Sequence, residues 1–239
     1  MKTMNVRTEI RLRDIRSWDA SSWLNMSRRL LVLILGIFLF AVSIVLGLQS
    51  NLGASSWTVL HDGLSLHTPL TIGEATELTG LLMLVVSWVV GIKPGLGTVL
   101  NMILVGVFTD MILGSGLIHK ADPYPLRFAM LVGAIVVIGI ASGMYISSGL
   151  GAGPRDSFML ALTEMTGLSV HINRWMIEFV VIIFGIILGG SFGIGTIVMV
   201  LLNGPAVGIG FRLFGLPTRS SGTRSSRKNV SELRPADSE

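Results

Sequence analysis

Long apolar runs follow one another through most of this chain, and they leave few folds open to it. Six runs approach or reach the length that a helix needs to cross a bilayer, roughly 20 residues. They are 30–48, 78–92, 96–117, 128–146, 175–188 and 194–214. Charged residues make up 13% of the chain, whereas a soluble domain carries about 25%. The sequence therefore predicts an all-α membrane protein with six transmembrane helices.

Basic residues are distributed unevenly around these runs. Seven precede the first run and five follow the last, and an even number of spans places both termini on one side. With six spans, that side holds 16 of the 18 Lys and Arg residues, and the positive-inside rule makes it cytoplasmic. We expect a bacterial inner-membrane protein with a basic cytoplasmic N-terminal segment, 1–28, and a cytoplasmic tail, 217–239, whose composition is typical of disorder.

Charge and residue types also limit the partners. The net charge of +4 lies in the terminal segments, so we expect the bilayer and its anionic head groups as partners and no nucleic acid. The chain has no cysteine, and its four histidines show no metal-ligand spacing. We find no nucleophile–base pairing and no phosphate-loop pattern. We therefore expect no enzymatic activity, no cofactor and no metal, and we leave open a homo-oligomer.

A shift of the chain by 98 residues superimposes glycines on glycines. Gly53 falls on Gly151, and the stretch GLGT at 95–98 falls on GIGT at 193–196. Matching glycines indicate matching backbone requirements, either close helix packing or special torsions. We therefore divide the membrane region into two three-span repeats, 29–118 and 127–216. Because each repeat has an odd number of spans, the second is inverted relative to the first, a plan that recurs in transporters and also occurs in channels.

The stretch GLGAGPRDSF at 149–158 predicts the start of a short helix. Its glycines allow a turn, and Pro154 suits the first helical position, where a missing N–H costs nothing. Gly153 would then be the N-cap, and the Asp156 carboxylate would lie at the positive end of the helix dipole. We expect a helix over 154–166, too short to span the bilayer.

The equivalent stretch in the first repeat, NLGASSWTVL, predicts a second short helix over 56–66 with Ser55 as its N-cap. Two placements stay open for both short helices. They lie at the membrane interface, or they re-enter the bilayer from opposite faces and direct their N-termini at a site near the midplane.

The pattern G-L-G-x-x-P-x-D after the first span of a repeat, with G-x-G-T opening its third span, resembles the YczE/YitT group of bacterial integral membrane proteins. The resemblance covers about 29–216 and implies a six-span inner-membrane protein, without implying an activity. The first repeat departs from the pattern: it keeps Trp57, but Ser56 and Thr58 replace the proline and the aspartate. Any role that the resemblance implies for two aspartates falls here to Asp156 alone.

Ionisable residues in an apolar chain are the candidate site residues, because a charge at the bilayer centre costs roughly 2.5–3.5 kcal/mol and usually faces the bundle interior. We select five substrate-binding residues: Arg155, Asp156, Asp110, Trp57 and Thr58.

Two further acidic residues, Glu77 and Glu178, either join this cluster or reach water near the span ends. The preferred function is a small-solute transporter or permease, with coupling to protons or ions. The alternative is a non-transporting membrane protein that anchors or assists a cytoplasmic biosynthetic enzyme or complex.

Overall fold

The computed structural model describes residues 20–151, 153–168 and 170–216, which are helical apart from their connecting loops. Much of the predicted segment 1–28 and all of the predicted tail 217–239 lie outside these residues. In the described residues the helices are α1 (Ala20–Gln49), α2 (Ser56–His67), α3 (Ile72–Val89), α4 (Leu96–Ser115), α5 (Tyr124–Ser147), α6 (Pro154–Thr166), α7 (Val170–Ile187) and α8 (Ile194–Leu213). The all-α prediction is confirmed for the described part of the chain.

Five helical segments are long and apolar enough to cross a membrane. They are Leu24–Gln49, Ile72–Val89, Leu96–Ser115, Tyr124–Ser147 and Ile194–Leu213. The chain is therefore a membrane protein with several apolar helices, as its composition predicts. The sixth predicted span, 175–188, falls largely within α7, which carries Arg174 and Glu178 in its first half. Since α7 is not among the five, the six-span topology stays a prediction.

Helices α1 and α5 pack along each other and run in opposite directions. At one end of this pair, the Ala121 N–H donates to the carbonyl of Gln49 at 2.9 Å. At the other end, the Arg29 Nε donates to the carbonyl of Ser148 at 2.7 Å. Outside the pair, α4 packs on α1 and α8 on α5, while α2 packs on α7 and α3 on α6. Each short helix thus contacts a long helix from the other half of the chain.

The loops after α1 and α5 each contact the first turn of a helix in the other half of the chain. The Gly195 N–H, in α8, donates to the carbonyl of Leu52 at 2.7 Å, and the Gly97 N–H, in α4, donates to the carbonyl of Leu150 at 2.8 Å. A Cβ added at either glycine would lie 2.9 Å from backbone atoms of the contacting loop. Only glycine allows the loop and the helix to approach this closely.

The same loops contain glycines in backbone conformations that other residues rarely adopt. Gly53 has φ +112° and Gly151 has φ +139°, in the region where side-chain-bearing residues are strained. These two glycines, like the pair at the helix starts, are superimposed by the 98-residue shift. The matched glycines therefore occupy matching backbone environments.

Both predicted short helices are present, with the predicted starts. In α2, the Ser55 hydroxyl accepts a hydrogen bond from the Thr58 N–H at 3.4 Å, as an N-cap residue does. In α6, Gly153 is the N-cap and Pro154 is the first helical residue. Helix α6 covers the predicted range, and α2 extends one residue beyond it, to His67.

Candidate solute-binding cavity

A cavity of about 420 Å³ lies within the bundle, and all eight described helices contribute to its wall. Its volume falls in the range of small-molecule sites, about 300–1,000 Å³. The first residues of α2 and of α6 border it together, although these helices follow opposite ends of the α1–α5 pair. The lining also includes residues from the middle of long helices, such as Phe40 and Asn203. The cavity is thus the place where the two short helices begin.

Arg155 is the cation at the start of α6, and its guanidinium lies over an aromatic face. Its Cζ is 5.0 Å from the centroid of the Trp57 ring, at the start of α2. Within the described residues, Arg155 forms neither a hydrogen bond nor a salt bridge. Burial lowers its pKa to about 10, so the side chain remains charged at neutral pH. Its N–H donors are therefore available on the cavity wall.

Asp156 is the carboxylate next to Arg155, and a buried tyrosine orients it. The Tyr145 hydroxyl, in α5, donates to Asp156 Oδ2 at 2.8 Å. Tyr145 is only 5% exposed, whereas Asp156 is exposed on the cavity wall. The position of Asp156 in the first turn of α6 is the one where the helix dipole favours a negative charge. The carboxylate is therefore held in place by two interactions and still faces the cavity.

The sequence did not single out Tyr145 or the two asparagines on the wall, Asn101 and Asn203. Asn203 is notable because its Oδ1 is buried and has no hydrogen-bond partner among the described residues. A polar side chain within an apolar run is the signal that could have pointed to each of them, since a buried polar group without a partner is costly.

Arg174 and Glu178 form an ion pair on α7 that also borders the cavity. Arg174 Nε and Glu178 Oε1 are 3.1 Å apart, one helical turn from each other. Glu178 therefore belongs to the cavity wall, the first of its two expected positions. Glu77 does not line the cavity: its side chain packs against Gly106 of α4.

Asp110 is placed differently from our expectation, because it is not among the residues that line the cavity. Its carboxylate accepts hydrogen bonds from the Thr71 hydroxyl and, at 2.8 Å, from the Gly73 N–H. It therefore caps the start of α3, where unpaired backbone N–H groups make a carboxylate favourable. The structure does not bring Asp110 to Arg155.

Thr58 also serves a helix start rather than the cavity wall. Its hydroxyl lies 2.8 Å from the Ser55 hydroxyl, and its side chain is buried. Of the five selected residues, the structure thus brings three to the cavity: Trp57, Arg155 and Asp156.

His61 joins α2 to α3 behind the cavity wall. Its two ring nitrogens each lie 2.8 Å from a threonine hydroxyl, that of Thr76 and that of Thr79. Burial holds the pKa of His61 well below its usual range, and the charge of Arg155 lowers it further. The imidazole is therefore neutral at physiological pH and links the two helices. In the described part of the chain, no group of three or more His, Asp or Glu side chains could hold a metal ion.

Comparison with known proteins places the chain in a family. Residues 27–212 match a family of unknown function, DUF6198. The chain belongs to this family. It is 34% identical over 171 residues to the uncharacterized membrane protein YczE of Bacillus subtilis, covering 71% of this chain and 79% of that one. The expected resemblance to YczE is thereby confirmed.

Two further relatives extend over similar lengths. An uncharacterized protein of Haemophilus influenzae is 29% identical over 205 residues, 84% of this chain and 92% of its own. The uncharacterized protein YyaS of Bacillus subtilis is 26% identical over 180 residues, 71% of this chain and 86% of its own. No solved structure matches the chain.

Proposed function

We propose that this protein is a small-solute transporter of the bacterial inner membrane and that the cavity is its solute-binding site. One observation carries the proposal: the N-termini of two short helices, with Arg155 and Asp156, border one cavity within an otherwise apolar bundle. Helix N-termini directed at a site between repeats are a recurring arrangement in secondary transporters. Ionisable side chains in the interior of a membrane protein are costly and usually functional, and four of them line this cavity.

We further propose that α1–α4 and α5–α8 are inverted repeats, that α7 is the sixth span, and that both termini are cytoplasmic. Three observations support this. The α1–α5 pair is antiparallel, the helix contacts are exchanged between the halves, and the loop-to-helix hydrogen bonds recur 98 residues apart. In this arrangement, α2 and α6 re-enter the bilayer from opposite faces. Two similar halves around one site can exchange access between the two faces.

Asp156 is the group through which we propose coupling to protons or ions. Among the described residues it is the wall carboxylate that forms no salt bridge, whereas Glu178 is paired with Arg174. Its hydrogen bond from Tyr145 fixes the direction of one oxygen and leaves the other for a cation or a solute donor. We propose no catalytic step and no cofactor.

Transport is tested with the full-length protein in liposomes. Solute entry is followed by light scattering after a hyperosmotic shift, with a panel of neutral, anionic, cationic and zwitterionic solutes that fit the cavity. We expect at least one solute to enter faster than in protein-free liposomes, and more slowly through Asp156→Asn. The matched control is Asp122→Asn, in the loop before α5, which should transport as the wild type does. The proposal fails if no solute enters faster than the protein-free rate, or if Asp156→Asn matches the wild type.

The alternative function, a non-transporting anchor or assistant for a cytoplasmic enzyme, depends on the terminal segments 1–28 and 217–239. Most of these residues lie outside the part of the chain that the structure describes. No described contact therefore favours this alternative. The liposome measurement separates the two functions, since an anchoring protein moves no solute.

A further inference from the structure

The charged side chains on the cavity wall differ in whether other residues of the protein form hydrogen bonds or salt bridges with them. Arg174 is paired with Glu178, and Asp156 accepts a hydrogen bond from Tyr145. The guanidinium of Arg155 lies over the face of Trp57 and interacts electrostatically with Asp156 and Glu178, but it forms no hydrogen bond and no salt bridge among the described residues. A guanidinium presents five N–H donors in a planar fork that suits carboxylate and phosphate oxygens. Of the four charged side chains on the wall, Arg155 is therefore the one whose hydrogen-bonding groups the described residues leave unused.

The start of α2 adds positive potential at the same part of the wall. This helix has no acidic residue in its first turn, unlike α6, where Asp156 offsets the dipole. The free N–H groups of a helix start favour a negative charge. Trp57, the second residue of α2, is also the residue that lies against Arg155. The guanidinium and the positive end of α2 thus come together.

Most of the remaining wall is apolar. It is formed by aromatic and aliphatic side chains from four long helices, including Phe40, Val105, Ile138, Val200, Val207 and Phe211. Such a wall favours a solute with an apolar body, because the body is removed from water when it binds.

We propose that the cavity binds a small organic anion that has an apolar body, and that Arg155 recognises the anionic group. This inference rests on the proposed transport function and names its substrate class. Arg155 contacts the carboxylate or phosphate oxygens, the start of α2 adds to the attraction, and Trp57 holds the guanidinium in position.

Three probes with one ring and different charges test the inference: benzoate, benzamide and benzamidine. Each is titrated at millimolar concentrations against the purified full-length protein in detergent, and binding is measured as thermal stabilisation. We expect benzoate to bind at least tenfold more tightly than benzamide, and benzamidine to bind more weakly than either. Arg155→Gln should remove the preference for benzoate over benzamide, and Arg155→Lys should retain part of it, because lysine keeps the charge and loses the fork.

Arg127→Gln is the matched control. Arg127 lies in the first turn of α5 and interacts with Tyr124 and with backbone carbonyls, away from the cavity wall. It should keep the wild-type preference. Binding of benzamide, which carries no charge, reports whether Arg155→Gln still has a folded cavity. If Arg155→Gln loses benzamide binding as well, Arg155→Lys is used in its place, and a wild-type ratio of benzoate to benzamide affinity in Arg155→Lys overturns the proposal. The proposal is also overturned if the wild-type protein shows no preference for benzoate over benzamide.

Failure of all three probes to bind would also overturn the inference. Tighter binding of benzamidine than of benzoate would overturn it too, because the cavity would then prefer a cation. These results are distinct from those of the transport test. Transport of a neutral or cationic solute without benzoate binding would overturn the anion inference and support the transport function. Benzoate binding without any solute entry would overturn the transport function and support the anion-binding site.

An anionic lipid presents the same chemistry as a free organic anion, so a second arm separates these sources. Benzoate is titrated in nanodiscs of phosphatidylcholine alone and of phosphatidylcholine with phosphatidylglycerol. The titrations are made at high salt, which screens the repulsion between benzoate and the charged disc. Equal affinity in both discs supports a soluble solute. Weaker binding in the presence of phosphatidylglycerol means that a lipid head group occupies the site, and overturns the assignment to a soluble solute.

Discussion

The two loop-to-helix contacts at Gly97 and Gly195 make a paired prediction about stability. A Cβ at Gly97 would lie 2.9 Å from the carbonyl carbon and oxygen of Leu150, and one at Gly195 would lie 2.9 Å from the carbonyl oxygens of Leu52 and Gly53. Both distances are shorter than Cβ atoms show in folded proteins. The neighbours are backbone atoms of a turn, which cannot rotate away as a side chain can. The loop itself must move in each alanine variant.

The expected magnitude follows from this geometry. Forcing an extra carbon into a packed site costs typically 1–3 kcal/mol, and weakening the N–H···O bond at the same glycine adds about 1 kcal/mol. We therefore expect Gly97→Ala and Gly195→Ala each to lower the free energy of unfolding by about 2–4 kcal/mol. The contacts lie at opposite ends of α1, whose 20 residues between Arg29 and Gln49 span roughly 30 Å. The double variant should accordingly lose close to the sum.

The measurement is thermal unfolding of the purified protein in detergent. A chain of this size shifts its midpoint by roughly 2–4 °C for each kcal/mol, so each single variant should unfold at least several degrees below the wild type. Gly204→Ala is the matched control, because nothing lies within 4 Å of the added Cβ and alanine favours a helix interior over glycine. The reasoning is refuted if Gly97→Ala or Gly195→Ala unfolds as Gly204→Ala does. A large loss at one position and none at the other would argue against matching halves.

Three further predictions concern single interactions. Tyr145→Phe should lower the free energy of unfolding by about 1.5–3 kcal/mol, the value of a hydrogen bond to a charged group. The loss should be smaller in an Asp156→Asn background, measured as a double-mutant cycle by thermal unfolding. Stability should fall as the pH drops below 6.5, because the unfolded chain binds a proton at His61 that the folded chain excludes; His61→Gln should flatten this pH dependence of the unfolding midpoint. Asp110→Asn should lower the free energy of unfolding by about 1 kcal/mol, because it weakens a helix cap. It should leave the ratio of benzoate to benzamide affinity unchanged, whereas that ratio would change if Asp110 contacted the bound solute.

The short helices could be predicted because the residues that start them are neighbours in the sequence. Ser55 bonds the N–H three residues on, and Gly153 and Pro154 act on the first turn alone. Glycine positions were equally informative, since a tight backbone contact excludes every larger side chain at that place. Local sequence therefore predicts where α2 and α6 begin, and with them the position of Arg155 and Asp156 on α6.

The placement of Asp110 could not be predicted, because its partners lie 37 and 39 residues away in the chain. In a soluble helix, the polar face would show which side is outward. In a membrane helix, lipid and protein interior are both apolar, so the pattern of apolar residues does not show which side faces a neighbour. Asp110 and Tyr145 both illustrate this: each lies in an apolar helix, and only the packing of another helix determines what its polar atoms contact.

The contact between Trp57 and Arg155 joins the two halves of the chain at the cavity. The first half has Ser56-Trp57-Thr58 where the second has Pro154-Arg155-Asp156, so one half supplies an aromatic face and the other a cation. The two equivalent helix starts therefore give the cavity two chemically different sides. Any movement that opens the cavity between α2 and α6 must separate the ring from the guanidinium, now 5.0 Å apart. Fluorescence of the Trp57 indole, taken as the difference from Trp57→Phe, should therefore change when an anion binds Arg155 and when the cavity opens.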